Sequence, residues 1–104
     1  MTNYVVYRAF ALAEQAEAPR CYVKRLADGW LALMSYGTPV ALRGTGRHAQ
    51  VVFSTSTHSA TTRQHMRQAR AACESEGLVP QTWSDEAFAA KATRLGLLDL
   101  GRLA

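Results

Sequence analysis

The sequence has no apolar run approaching the roughly 18 residues that a membrane-spanning helix needs. Its first residues also lack a basic segment followed by an apolar one, so we expect no secretory signal. Cysteine is scarce as well: Cys21 and Cys73 lie far apart and form no C-x-x-C motif. That spacing favours two reduced thiols in the cytosol, with a disulfide as the alternative. We therefore expect a cytoplasmic protein, in its own cell or in a host cell.

Acidic residues are few, because 8 Asp and Glu stand against 12 Lys and Arg and leave a formal net charge of +4. A basic protein favours polyanions or acidic protein surfaces as partners. The hydrophobic content of 48% with 19% charged residues argues against a wholly disordered chain. Repeats, low-complexity tracts and linkers are lacking too, so 104 residues predict a single domain over 1–104.

The first half of the chain alternates as β-strands do. Strands are predicted where β-branched and aromatic residues alternate with other types, at 21–26, 30–36, 40–43 and 50–53. Asp28-Gly29 is a strong hairpin signal, 44–47 predicts a second hairpin, and Pro39 marks a bulge or turn. Residues 4–10 favour a strand whereas 11–17 favour a helix, so 4–17 stays ambiguous between the two.

After Phe53 the pattern takes on the period of a helix. Apolar or small residues recur on one stripe, at Thr62, Met66, Ala69 and Cys73. Thr61 with Gln64 predicts a capping box at the helix start, and glycine and proline at 77–80 predict its end. A second helix is predicted from Ser84 to about Leu95. The fold class is therefore α+β: an antiparallel meander of four to five strands, then two helices, the first packed on one sheet face.

The two predicted helices carry their charges in opposite orders. The second places acids in its first turn and bases later, as the helix dipole favours. The first has Arg63 and Arg67 early, with Glu74 and Glu76 late. That order costs about 1–2 kcal/mol at low salt, so backbone stability does not explain it.

The start of the first helix is a candidate anion-binding site. Arg63, Arg67 and Arg70 share one side of the helix, which we call the arginine face. Unpaired N–H groups and hydroxyls at the helix start would join the guanidinium groups in holding a phosphate or carboxylate. The predicted contacts are Arg43, Arg47, Thr61, Thr62, Arg63, Arg67 and Arg70. The competing interpretation is an ordinary capped and solvated helix start.

Histidines raise the question of catalysis. His58 and His65 are close enough in the chain to converge, and two imidazoles beside arginines are typical of metal-independent ribonucleases. No acidic residue nearby in the sequence would orient either imidazole. The pair also lacks H-x-x-x-H spacing and a neighbouring cysteine, so neither a metal nor another cofactor is predicted. Aromatic residues on predicted strands, Tyr36 among them, can stack bases, but we expect most of them in the core.

Two motifs resemble those of a family of small uncharacterised phage and plasmid proteins. In that family S-Y-x-T-x-[IV]-A and a short hairpin precede Y-S-x-T-T-S-x-H at a helix start. This chain has His58 where the family shows tyrosine and Arg63 where it shows serine. The matching residues are Ser35, Tyr36, Thr38, Ser59, Thr61, Thr62 and His65. The resemblance covers about residues 4–70 and implies an accessory protein of a mobile element. A second group of polar residues thereby becomes a candidate site: Ser35, Tyr36, Thr38, His58, Ser59 and His65.

Three hypotheses follow from the sequence. The leading one is a non-enzymatic binding protein that engages nucleic acid phosphates through the arginine face and the helix start. The alternative is a protein that inhibits a host defence complex, in the manner of anti-CRISPR proteins, by binding an acidic protein surface. The third is a small metal-independent nuclease. The leucine-rich segment 97–103 is expected to pack on the body or against a second copy in a homodimer.

Overall fold

The computed structural model describes residues 3–45, 49–55 and 59–96. A helix comes first, four strands follow, and two further helices flank a last short strand. In chain order the elements are α1 (Asn3–Ala11), β1 (Cys21–Arg25), β2 (Leu31–Ser35), β3 (Thr38–Arg43), β4 (Val51–Ser54), α2 (Ala60–Ser75), β5 (Gln81–Trp83) and α3 (Asp85–Arg94). The leucine-rich segment 97–103, with its predicted packing on the body or against a second copy, lies outside the described residues.

The five strands form one sheet in the order of the sequence. β1 to β4 pair antiparallel, each with the next. β5 pairs parallel with β4 at the sheet edge, because α2 returns the chain before β5 begins. The predicted α+β fold with an antiparallel meander is therefore confirmed. β5 has only three residues between two helices, too few for an alternation to be recognised.

Both tight hairpins have two successive residues in the left-handed region. Asp28 and Gly29 (φ 58° and 78°) connect β1 to β2, as the Asp-Gly pair predicts. Tyr36 and Gly37 (φ 52° and 79°) connect β2 to β3. Positive φ at both residues belongs to the primed turns, whose twist matches that of the flanking strands. Glycine adopts this conformation freely, whereas a tyrosine there is uncommon.

A bulge follows the second hairpin, where Pro39 predicts a bulge or turn. Leu33 lies opposite Ala41, but the next residue of β2, Met34, lies opposite Pro39. Val40 is therefore the extra residue of β3. The bulge shifts the alternation along β3 while β2 keeps its own.

Helices cover both faces of the sheet. On one face α1 and α2 pack over inward-facing side chains that include Phe10, Phe53 and Leu33. On the other face α3 packs with Phe88 and Leu95 against residues of the central strands. The strand favoured for 4–10 is wrong, because Val6, Tyr7 and Phe10 fall on one side of a helix and bury there.

All three helices begin at the same end of the sheet, which we call the upper end. It is the end where β2 and β4 finish, and α2 and α3 start directly after β4 and β5. α1 begins there too, since Asn3 contacts His65 in the second turn of α2. The end of α3 correspondingly lies at the opposite end of the sheet. There the N–H of Ala27, which follows β1, donates to the carbonyl of Leu95 at 3.1 Å.

Candidate functional site

A buried polar cluster joins the upper end of β2 to the start of α2. Ser35 Oγ lies 2.8 Å from His65 Nδ1 and 3.0 Å from Thr62 Oγ1. Strand alternation places Ser35 on the same sheet face as Leu33, under α2. The i, i+3 spacing of Thr62 and His65 aims both side chains at it. These three residues are the His65 cluster.

The other nitrogen of His65 also has a partner, and two tyrosine rings lie against the imidazole. Asn3 Nδ2 of α1 lies 3.3 Å from Nε2. With the Asn3 amide donating, Nε2 accepts, so Nδ1 carries the proton and donates to Ser35 Oγ. The Tyr36 ring stacks on the imidazole at 5.9 Å and 22°, and the Tyr7 ring packs beside it at 6.1 Å and 48°. The imidazole is thus fixed in position by four other residues.

Burial keeps the titratable groups of this cluster neutral. It lowers the pKa of His65, and the positive charge of Arg20 lowers that pKa further. Burial likewise raises the pKa of Tyr7 to about 12, with a smaller contribution from Cys21. Near neutral pH the imidazole of His65 and the phenol of the neighbouring Tyr7 are therefore both neutral.

The His65 cluster is closed to a substrate. Ser35 is 1% exposed, His65 3% and Thr62 6%. A serine beside an imidazole is a nucleophile–base arrangement only if a reacting group can reach the hydroxyl. Here the Tyr36 ring stacks on one face of the imidazole, and Tyr36 itself is 54% exposed. The cluster connects helix to sheet, and Tyr36 is the exposed residue beside it.

The start of α2 is capped by Ser59 instead of the predicted Thr61 and Gln64. The Ser59 hydroxyl accepts a hydrogen bond from the N–H of Thr62 at 3.2 Å. Thr61 is exposed beside it. The helix therefore begins two residues earlier than the capping-box pattern predicts, because serine is also a strong N-cap.

The predicted arginine face divides into two parts. Arg63 and Arg67 are exposed. Arg70 instead donates to Thr82 Oγ1 at 2.8 Å and to the Pro80 carbonyl at 3.4 Å. Its guanidinium also lies 4.7 Å from the centre of the Phe53 ring. Arg70 therefore holds β5 and α2 together, and the outward-facing cations are Arg63 and Arg67.

Arg43 does not belong to a surface patch with them. It is 6% exposed and lies at the end of β3 away from the upper end. Its guanidinium donates to the Gly44 carbonyl at 2.6 Å and to the Ala11 carbonyl at 3.1 Å. A cation on the last carbonyls of a helix stabilises the C-terminal end of its dipole, so Arg43 caps α1. The sequence predicts Arg43 as a phosphate contact, but Arg43 is buried at the opposite end of the sheet from the start of α2.

The second predicted polar group is largely brought together. Ser35, Tyr36 and His65 touch one another, and Ser59 caps the turn that carries Thr62. The Thr62 hydroxyl contacts Ser35 in this group. It is therefore not available as the anion contact that the sequence predicts. Thr38 is exposed and pairs with Ser35 at the hairpin. His58 and Arg47 lie outside the described residues.

Three residues of the site were missed from the sequence. Asn3 and Tyr7 belong to α1, which the β-branched and aromatic content made look like a strand. The spacing of Val6, Tyr7 and Phe10 was the available helix signal. Arg20 lies in a loop before β1, where no periodicity applies. The pairing of β1 with β2 brings Arg20 beside Tyr36, where its carbonyl accepts the Tyr36 N–H at 2.9 Å.

The chain belongs to a family of unknown function (DUF8033), which matches residues 10–86. That span contains the His65 cluster, Tyr36 and the arginine face. No curated protein and no solved structure matches the chain. Among the described residues, no helix is both long enough and apolar enough to cross a membrane.

Proposed function

We propose that the protein is a non-enzymatic binding protein whose upper end engages the phosphates of nucleic acid. It would serve a phage or plasmid as an accessory factor, in keeping with the resemblance of its two motifs. The contacts are the exposed arginines of α2, the hydroxyls around its first turn, and Arg20 beside the β2–β3 hairpin. A host protein with an acidic surface is the alternative partner.

The observation that carries this proposal is the common orientation of the helices. Three helix starts lie at the upper end, and each adds partial positive charge from its unpaired N–H groups. Neither α1 nor α2 has an acidic residue in its first turn to neutralise that charge. Only α3 does, through Asp85 and Glu86. An anion at the start of α2 would therefore meet positive charge that no acidic residue in the first turn of α2 itself offsets.

Side chains add full charges to this field. Arg63 follows Thr62 directly in the first turns of α2, and Arg67 lies one turn further on the same side. Within the described ranges, neither arginine has an ion-pair or hydrogen-bond partner. Arginine binds phosphate through two parallel N–H donors, so exposed and uncommitted guanidinium groups suit this ligand.

Catalysis is not part of this proposal because the pair with the right chemistry is buried. Ser35 and His65 lie inside the fold, and their hydrogen bonds connect β2 with α2. A nuclease would need an accessible imidazole as general base or acid. His65→Ala should therefore lower stability, and it should not abolish any cleavage that a preparation contains.

The direct test is fluorescence anisotropy with labelled single-stranded and duplex DNA and RNA over a range of salt. Wild-type binding should weaken with salt at a log–log slope of about −0.7 to −0.9 per phosphate contacted. Arg63→Glu combined with Arg67→Glu should lower affinity for every sequence alike and reduce that slope by about one to two. Arg63→Glu and Arg67→Glu are also each measured alone, and Arg25→Glu is the matched control for these single variants, since it makes the same change of charge at an exposed residue at the other end of β1.

Two outcomes would overturn the proposal: binding that does not depend on salt, or an equal loss in the Arg25→Glu control. Pull-down from host lysate with and without nuclease treatment distinguishes nucleic acid from an acidic host protein as the partner. A protein that stays bound after nuclease treatment, and is lost in the Arg63/Arg67 variant, would assign the surface to an acidic protein. Loss of all partners after nuclease treatment supports nucleic acid.

A further inference from the structure

We infer that the exposed ring of Tyr36, backed by His65 and flanked by Arg20, is a stacking site for an unpaired nucleic acid base. The inference rests on the proposed function and narrows its ligand to single-stranded nucleic acid. It concerns a different contact, because the arginines of α2 hold phosphates whereas Tyr36 would hold a base.

Tyr36 has a backbone conformation that is uncommon for its residue type. Its φ of 52° places a large side chain in the left-handed region, where Asn or Gly is favoured at this position of a primed turn. Hairpin stability alone would select one of those residues. A tyrosine kept in an unfavourable conformation points to a use of its ring, since such outliers concentrate at functional sites.

The Tyr36 ring is supported by the imidazole of His65. The centroids of the two rings lie 5.9 Å apart, and the rings are within 22° of parallel. Ser35 and Asn3 hold the imidazole through its two nitrogens, so its orientation is fixed. Because the imidazole is fixed, the Tyr36 ring that stacks on it has little freedom to lose when a base stacks on its exposed side. Preorganisation of that kind increases affinity by reducing the ordering cost of binding.

Tyr36 also has a positively charged neighbour in Arg20. The Arg20 carbonyl accepts the Tyr36 N–H at 2.9 Å, which keeps the two residues adjacent. The Arg20 side chain is exposed, and its charge lies close enough to depress the pKa of His65. An aromatic surface next to a cation is the arrangement by which single-strand binders hold a base and its phosphate. Bases in a duplex are already stacked on their neighbours, so their faces are not free to stack on the Tyr36 ring.

The experiment compares a single-stranded oligonucleotide with its own duplex. Tyr36→Asn removes the ring and supplies a residue that the turn favours, so the protein should stay folded. Single-strand affinity should fall about five- to one-hundred-fold, with duplex affinity and the salt slope unchanged. Tyr36→Phe, which keeps the ring, should retain single-strand affinity. Thermal unfolding of each variant checks that the fold is intact.

A measurement on the unmodified protein avoids dependence on any variant. Ring protons of Tyr36 should shift upfield in the NMR spectrum when single-stranded oligonucleotide binds, and should not shift with duplex. Unchanged single-strand affinity in Tyr36→Asn together with unshifted ring protons would overturn the stacking site. If the salt slope and the loss in the Arg63/Arg67 variant persisted in that case, the proposed function would stand without it. An absence of all nucleic acid binding would overturn both.

Discussion

At the scale of single residues, His65 should make the stability of the protein depend on pH. Burial and Arg20 place its pKa in the folded state below the ordinary value of about 6.5. The unfolded chain therefore takes up a proton first as the pH falls. Stability is fully present above about pH 6.5 and is lost as the pH falls from there through the lowered pKa.

The measurement is the free energy of unfolding between pH 7.5 and 5 for wild type and His65→Gln. The wild type should lose stability steeply over this window, whereas the variant should start lower and change less. His48 and His58 are present in both proteins, so their contributions cancel in the comparison. Parallel pH profiles for the two proteins would show that His65 is not the titrating group.

Ser35 should contribute to stability through the partners it satisfies. Ser35→Ala leaves the hydroxyl of Thr62 and a ring nitrogen of His65 buried without this hydrogen bond. An unsatisfied buried polar group costs about 1–3 kcal/mol, so the loss should fall in that range. Thr38→Ala is the matched control, because Thr38 is exposed on the same hairpin and should change stability by no more than about 0.5 kcal/mol. Equal losses in chemical denaturation would contradict a special role for the cluster.

At the scale of elements, the opposed charge orders of α2 and α3 predict opposite effects of the same substitution. Arg63→Glu places an acid near the start of α2, where the dipole favours it, and should raise stability by about 0.3–1 kcal/mol. Arg94→Glu places an acid in the last turn of α3 and should lower stability by a similar amount. Thermal unfolding at low salt should resolve the two shifts, and both should shrink at high salt.

A gain of stability in Arg63→Glu together with a loss of nucleic acid binding would identify a residue kept for function at the expense of stability. A loss of stability in Arg63→Glu would instead show that Arg63 has a structural partner. The two helices serve as controls for each other, since both charges are exposed and both substitutions change the net charge by the same amount.

The elements that could be predicted from sequence are those whose signal is local. The Asp28-Gly29 turn, the strands around it and the apolar stripe of α2 depend on neighbouring residues, and all are present. α1 stayed ambiguous because tyrosine and valine favour strands, while burial against α2 decided the conformation. β5 depends on pairing with β4 after the chain has returned along α2, which no local pattern records.

The candidate site was likewise predictable only where its signal is local. Ser35, Tyr36 and His65 could be identified because they lie in two short sequence motifs. The contacts of Asn3 and Arg20 depend on how α1 and the loop before β1 fold onto the hairpin. Arg70 was predicted on the arginine face from its helical spacing, and Arg43 was predicted as a contact because it lies beside the second hairpin. Each instead found carbonyl oxygens inside the fold or along its edge.

At the scale of the whole molecule, the sheet is covered on both faces by helices that extend beyond the family match. That match starts at Phe10 inside α1 and ends at Glu86 in the first turn of α3. Val6 and Tyr7 lie before it and are 0% and 5% exposed. The matched segment therefore contains the whole sheet and α2 but lacks much of what covers them.

A piece limited to residues 10–86 should consequently fail to fold cooperatively. It lacks four large buried side chains, namely Val6, Tyr7, Phe88 and Leu95. At about 1.5–3 kcal/mol for each side chain, the loss is about 6–12 kcal/mol, comparable with the total stability of an ordinary domain at about 5–15 kcal/mol. A piece spanning 3–96 keeps all four and is the matched control. Circular dichroism during heating should show a cooperative transition for 3–96 and a gradual, featureless change for 10–86. A cooperative transition at the same midpoint in both pieces would mean that α1 and α3 are dispensable, and the Asn3 contact with His65 would then be unnecessary for holding the imidazole beneath Tyr36.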